Sequence, residues 1–341
     1  MAGLVARRLV QLALVLLAVT FMAFSAMNVL GDPLVNIVGP LAEIDCDAVE
    51  RGEAEATTTT LDNLRTDCEI VAEARGEYRL DEPFLARYVL WLGDTVSGDL
   101  GTSFKNNSSV NDVLWAKFPV SLKLMLFAEL IALGVAIPLG VWAAYRANRW
   151  DDKVLSVISF GLLSIPNFAL GVILLYLFAL GGFPFLPESL GLPASYDSSS
   201  LFAEVKSLFL PALSLGLALA ATYQRLLRTD LITTLQEDFV HMARAKGMPN
   251  RRVMLRHALR PSLFSVITVF GVQTGALIGG SLVVENIFSI PGVGRELVTA
   301  VIRDDFPVVL GGVIVIAVAF VLINFLVDLL YTWLDPRVRA Q

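Results

Sequence analysis

Two histidines, two cysteines and two carboxylates set in apolar runs are the side chains with which this 341-residue chain could do chemistry. Their spacing argues against most of it. His241 and His257 stand sixteen residues apart in one basic stretch, on either side of a Gly-x-Pro turn, and read as surface residues rather than metal ligands. No H-E-x-x-H, cysteine cluster or G-x-S-x-G elbow occurs, so zinc hydrolysis and serine acyl transfer lack their residues. The dipeptide Gly-Lys is absent, so the chain has no phosphate-cradling loop and should not hydrolyse ATP. Glu129 lies inside an apolar run, where a charge is costly unless it faces protein or water. A proton relay is the sharper reading of it. A neutral or paired carboxyl within a bundle is the favoured one. Asp328, four positions before Thr332, is read as ordering a helix end rather than binding an ion. The expectation is a chain with no catalytic residue, no metal site and no cofactor of its own.

The elements that carry these residues follow from hydropathy. Mean hydropathy is +0.67, hydrophobic residues make up 55% and charged residues 17%. This places the chain among integral membrane proteins. Long apolar runs exclude a transmembrane barrel, whose strands alternate in polarity. Lipid requires backbone groups to pair within each segment, so the fold class is all-α, a polytopic helix bundle. Six spans are read, at about 9–30, 120–145, 154–181, 208–226, 263–284 and 308–333. The first follows Arg7 and Arg8. A cleaved signal peptide is the alternative, but this run is longer than a signal's apolar region and lacks a clear small-x-small cleavage site.

Orientation follows from the basic residues at span ends. Arg7, Arg8, Arg146, Arg149, Lys153, Arg337, Arg339 and the basic stretch at 225–260 all fall on one side of a six-span chain. Residues 225–260 hold eight Lys or Arg against three Asp or Glu, which places that side and both termini in the cytoplasm. Residues 31–118 carry the opposite bias, with 17 Asp or Glu against seven Lys or Arg. The basic face needs no nucleic acid to explain it. Lys123, near the outer end of the second span, is expected to snorkel.

Three regions result: a first span at 1–30, an outer cap insert at 31–118 and a five-helix core at 119–341. In the insert, 62–74 and 78–92 read as helices, the second with Pro83 near its start. The segment GDTVSGDLGTSFKNNSSV reads as turns with a short extended piece. Cys46 and Cys68 both lie in the insert, on the side that is oxidising in most bacteria, and a bridge is favoured over two unrelated thiols. In the core, Pro138, Gly140, Pro166, Pro211 and Gly216 are expected to kink helices or bring them close. Gly271, Gly275 and Gly279 form a smooth stripe at i, i+4 and i+8, suited to a neighbouring helix.

Between the fourth and fifth spans lies DFVHMARAKGMPNRRVMLRHALRP, within a cytoplasmic loop read as 227–262. It reads as two small helices parted at Gly247 and Pro249, the second over about 250–259. Phe239, Val240, Met242 and Ala243 give the first helix an apolar side, yet alone it is too short to be stable in water, so it needs a surface. Gly247 suits a left-handed cap, and Pro249 can open a new helix but not continue the old one. Arg251 and Arg252 oppose the macrodipole at the second helix's start, which suggests lipid headgroups or an acidic partner there.

This segment resembles the coupling loop of membrane subunits from bacterial importers of the ATP-binding-cassette class, specifically the dipeptide, oligopeptide and nickel permease family. Against the general pattern E-A-A-x-x-x-G, with I-x-L-P further on, His241 and Met242 replace the first two residues, while Ala243 and Gly247 are kept. His257 replaces the Ile, Leu259 is kept and Arg260 stands where Pro is expected, with Pro261 one place later. A-R-A-K-G and R-R-V-x-L-R-H-A-L-R are close to the peptide-permease version. VVENIFSIPGVGRELVTAVIRDDFPVV, FLVDLLYTWLDPRVR, IPLGVWAAY and SIPNFALGVILLYLF agree as well. Residues 41–80 depart from the pattern and are read as a lineage-specific elaboration.

The resemblance implies a type I importer permease fold in a bacterial cytoplasmic membrane. It implies pairing with a second, similar permease subunit and with two ATPase subunits that bind ATP and Mg. An extracytoplasmic binding protein would deliver the substrate. Asp238, Phe239, Val240, His241, Met242, Ala243, Arg244, Ala245, Lys246 and Gly247 would form the helix that sits in an ATPase cleft. Phe288, Pro291, Gly292, Val293, Gly294 and Arg295 are candidate contacts for the binding protein. Peptides are the expected substrate, with nickel chelates, glutathione or another small solute as alternatives. A secondary transporter working alone and a purely structural or receptor membrane protein are the competing classes.

Overall fold

The computed structural model describes residues 2–30, 33–51, 58–77, 79–180 and 192–334. It is a helix bundle with no β-strand among the described residues beyond one isolated bridge, Thr102 to Ser109. The helices are α1 (Ala2–Leu30), α2 (Pro33–Val38), α3 (Cys46–Glu50), α4 (Thr58–Glu77), α5 (Phe84–Val96), α6 (Val110–Tyr145) and α7 (Trp150–Ser164). They continue with α8 (Asn167–Phe178), α9 (Leu201–Thr234), α10 (Asp238–Ala245), α11 (Asn250–Arg252), α12 (Leu259–Ile287), α13 (Val293–Ile302) and α14 (Phe306–Leu334). The chain divides into two compact units. One holds residues 1–5, 117–295 and 318–341; the other holds 6–116 and 296–317.

In the first unit, α9 is the hub and packs on α7, α8 and α12. Leu215, Tyr223, Leu227 and Leu231 are fully buried along it. Close approach needs small residues. A Cβ at Gly216 would sit 2.7 Å from the Ala128 carbonyl oxygen of α6, and one at Gly140 would sit 3.1 Å from the Leu227 side chain. On α12, Gly271 and Gly275 receive Val327 and Phe320 of α14, whereas Gly279 has nothing within 4 Å. The expected three-residue stripe is thus a two-residue seat.

Span lengths exceed the expectation. The segment expected at 263–284 is continuous from Asn250 to Ile287, 38 residues, through a π turn at Val253–Ala258. At about 1.5 Å per residue this is far longer than the hydrocarbon needs. The second small helix of the loop is therefore the projecting end of a span, not a separate element. The segment expected at 154–181 is not one rod. It breaks between α7 and α8 with a bend of 103°. Pro166 has no N–H to donate and sits extended (φ −58, ψ 140), and Ile165 before it is forced out of the helical region (φ −92, ψ 123). Pro119, Pro138 and Pro211 stay inside helices.

In the second unit, α1 packs on α5 through Phe24, Tyr88 and Leu310, with Phe84 and Trp91 alongside. The insert does not stand by itself, because residues 6–30 and 296–317 belong to the same unit. Its second long helix starts at Phe84 rather than at 78, with Pro83 as N-cap, and runs to Val96. Cys46 and Cys68 are bridged, with Cα atoms 5.6 Å apart, beside a cluster of Leu34, Val71 and Ala74.

Candidate coupling site

The ten residues expected to couple lie on one short element and its exit. Helix α10 begins after Glu237, and Asp238 in its first turn complements the helix dipole. Val240 and Ala243 are buried against Val253, with Leu235 and Met248 packed around them. The exit is a Schellman motif. The Gly247 N–H donates to the Arg244 carbonyl at 2.9 Å and the Met248 N–H to the Ala243 carbonyl at 3.3 Å. Gly247 carries φ +77, the left-handed conformation that the motif demands. Met248, the residue after it, packs back on Ala243.

With Val240 and Ala243 turned inward, the rest of α10 is bare. Phe239 is 43% exposed and Met242 57%. Asp238, His241, Arg244, Ala245, Lys246 and Gly247 are exposed as well. An apolar pair at i, i+3, flanked by a carboxylate at one end and cations at the other, sits on a helix whose inner face is anchored. Val253, Leu235 and Met248 were not among the expected residues. They set which face is presented, and their apolar character in an otherwise basic loop was the available signal.

The expected binding-protein contacts turn out to build a loop. Phe288 is buried, with its ring against Gly171 of α8. Gly292, Val293 and Gly294 are buried, while Pro291 and Arg295 keep some surface. The organiser is Glu285, fully buried and absent from the expected set. Its carboxylate accepts from the Ser121 hydroxyl at 2.7 Å and from the Arg295 N–H at 3.0 Å, and from the Gly294 N–H. Ser121 in turn accepts from the Val293 N–H at 2.9 Å. These are first-turn donors of α13, so Glu285 caps that helix from a distance. A Cβ at Gly292 would collide with the Glu285 carboxylate and lie 2.5 Å from Ser121 Oγ.

Glu129 is 4% exposed, and its partners are hydroxyls. Tyr223 of α9 donates to it at 3.2 Å and Thr274 of α12 at 3.0 Å. It therefore ties α6, α9 and α12 together. Arg228 grips Asp152 with two hydrogen bonds, at 2.5 and 2.6 Å, and so joins α9 to α7. Lys123 does not end in solvent alone; it pairs with Glu204 at 2.6 Å. Tyr196 also donates to Glu204, and burial, then that bond, push its phenol up to about 12, so it remains a neutral donor. The side chains of Asp328 and Thr332 lie outside the described ones. No group of three His, Cys, Asp or Glu among the described residues could hold a metal. The arrangement anchors helices to one another and leaves Phe239 and Met242 of α10 uncovered.

Residues 136–340 match the family described as binding-protein-dependent transport system inner membrane component. Full-length relatives agree. The chain is 31% identical to the dipeptide transport system permease protein of Alkalihalophilus pseudofirmus, over 98% of each chain. It is 33% identical to the oligopeptide transport system permease protein of Bacillus subtilis, over 99% of this chain and all of that one. It is 32% identical to the glutathione transport system permease protein of Salmonella choleraesuis, over the whole of both.

Proposed function

From the premise that this chain belongs to the family of binding-protein-dependent transport system inner membrane components, we propose that it forms half of a peptide-conducting pathway moved by separate ATPase subunits. The chain is a multi-pass transport subunit of the inner membrane and not an enzyme. Its partners in this reading are a second permease subunit, two ATPase subunits that bind ATP and Mg, and an extracytoplasmic protein that delivers the substrate. In this reading both termini and the α10 loop face the cytoplasm, which the distribution of Lys and Arg supports.

One observation carries the mechanical part. Helix α10 has its inner face pinned by Val240 and Ala243 and its end stopped by Gly247, while Phe239 and Met242 stay bare. Burial of that pair in an ATPase cleft supplies the grip. When ATP binding draws the two ATPases together, α10 moves with its cleft. Because Asn250–Ile287 is one 38-residue run, displacement at the loop is displacement of the span. The spans then rock between inward-open and outward-open, and the binding protein unloads into the cavity. Proton coupling has less support, since Glu129 is occupied by Tyr223 and Thr274.

The peptide assignment rests on the dipeptide and oligopeptide relatives, and the glutathione relative keeps a second substrate in view. The test is reconstitution. Tagged chain purified from its own membrane should bring an ATPase and a second permease with it. Vesicles holding that complex should accumulate labelled dipeptides and oligopeptides only with ATP and binding protein. Uptake by the isolated chain without ATP refutes the importer reading. ATP-dependent uptake of glutathione or a nickel chelate, with peptides ignored, refutes the substrate.

A further inference from the structure

The insert contains one helix whose surface does not suit water. Helix α5 (Phe84–Val96) packs Phe84, Tyr88 and Trp91 against α1. Outside that contact, Leu85 is 65% exposed, Val89 64% and Val96 81%. These stand at i, i+4 and i+11, which brings them onto one stripe. The only charges of the helix, Arg87 and Asp94, fall on the side opposite that stripe. Arg87 lies over the Phe24 ring at 6.0 Å, and Asp94 pairs with Arg79 at 3.1 Å.

Two spans report the depth of this helix. Phe24 is six residues from the end of α1 at Leu30, which is about 9 Å along the axis. Leu310, in the same cluster, is four residues from the start of α14 at Phe306, or about 6 Å. The Tyr88 hydroxyl reaches deeper. It bonds with the Thr20 hydroxyl at 3.0 Å and donates to the Leu17 carbonyl at 3.2 Å. Thr20 lies about 15 Å from the end of α1; taking α1 as the span read from the sequence at 9–30, that is half-way through a hydrocarbon layer of roughly 30 Å. A phenol whose tip is satisfied by a hydroxyl and a backbone carbonyl of a spanning helix, with no need of water, suits hydrocarbon. The Phe21 ring, 40% exposed on α1, meets Phe84 and Tyr88 edge-on at 6.0 and 5.2 Å. Apolar surface therefore runs unbroken from α1 onto α5.

We infer that α5 is not part of a water-exposed cap but lies within the bilayer leaflet on the insert's side, with the Leu85–Val89–Val96 stripe covered by lipid acyl chains. With 13 residues, or about 20 Å, it is too short to cross. Its polar strip points to the headgroups. The consequence is that the bridged, acidic part of the insert is tethered to the membrane at its C-terminal end as well as through α1. This inference is independent of what the transporter carries.

Because Cys46 and Cys68 are bridged, a thiol-reactive nitroxide applied to this chain before assembly with its partners goes only to an introduced cysteine. Leu85→Cys, Val89→Cys and Asp94→Cys variants of the full chain, in its complex in phospholipid vesicles, would be compared by collision with oxygen, which concentrates in lipid, and with a water-soluble nickel chelate. The ratio of oxygen to nickel collisions should be several-fold higher at Leu85 and Val89 than at Asp94. Nickel-dominated collisions at Val89 would show water over the stripe and overturn the inference. Protection of Val89 from both reagents would show a protein partner there and overturn it equally.

Discussion

Replacing Phe239 by Ala tests whether the bare face of α10 is what an ATPase holds. Phe239 is 43% exposed, and a phenylalanine side chain presents roughly 200 Å², so about 85 Å² is left for a partner to cover. At about 25 cal/mol per Å² this is worth about 2 kcal/mol, or roughly 30-fold in affinity. The exposed part of Phe239 contacts nothing that fixes α10, because Val240 and Ala243 hold that helix. Phe239→Ala should therefore leave the chain inserted and folded while weakening ATPase retention by that factor. The assay titrates purified ATPase against permease in nanodiscs and measures uptake in parallel. Met242→Ala, at 57% exposure, should act in the same direction. Unchanged ATPase affinity in both variants, with uptake intact, would refute the assignment of this face.

Three further outcomes follow from the geometry. Gly247→Val puts a β-branched residue at φ +77, where nothing crowds its side chain, so the backbone alone carries a penalty of about 1–2 kcal/mol. Uptake should fall relative to ATP hydrolysis while expression stays normal, and an unchanged ratio of uptake to hydrolysis would remove Gly247 from the lever. Gly292→Ala drives a methyl into the Glu285 carboxylate and Ser121, an overpacking of about 1–3 kcal/mol, and should lower the thermal midpoint of the purified complex; Pro291→Ala, at a partly exposed position, should not. Cys46→Ser opens a loop with sequence separation 22 and should cost the insert about 3 kcal/mol, read as faster proteolysis of residues 33–80, with ATPase binding unaffected.

The membrane class, the helical architecture, the first short helix of the basic loop and the turn at Gly247 and Pro249 were legible in the chain; that the second helical part continues into the next span was not. Each legible feature is a local property. Hydropathy over about 20 residues, a glycine that alone tolerates positive φ, and a proline without an N–H need no knowledge of distant neighbours. The bridge between Cys46 and Cys68 was legible for a related reason, as the insert holds the chain's only two thiols.

Tertiary contacts decided the rest. An eight-residue helix with Phe239, Val240, Met242 and Ala243 can turn more than one apolar pair inward, and packing on Val253, ten or more residues away, with Leu235 and Met248, selects Val240 and Ala243. Pro166 breaks its segment while buried Pro211 stays within α9, although the residue is the same. Glu285 had no role assigned from the sequence, where it simply follows an apolar run. It became the organiser of the 288–295 loop because Ser121, 164 positions earlier in the chain, meets it there. The Tyr88 hydroxyl meets Thr20 across 68 positions, and that pairing is what gives α5 a depth at all. Burial and hydrogen-bond partners across such separations depend on how helices pack, which no local window of residues contains.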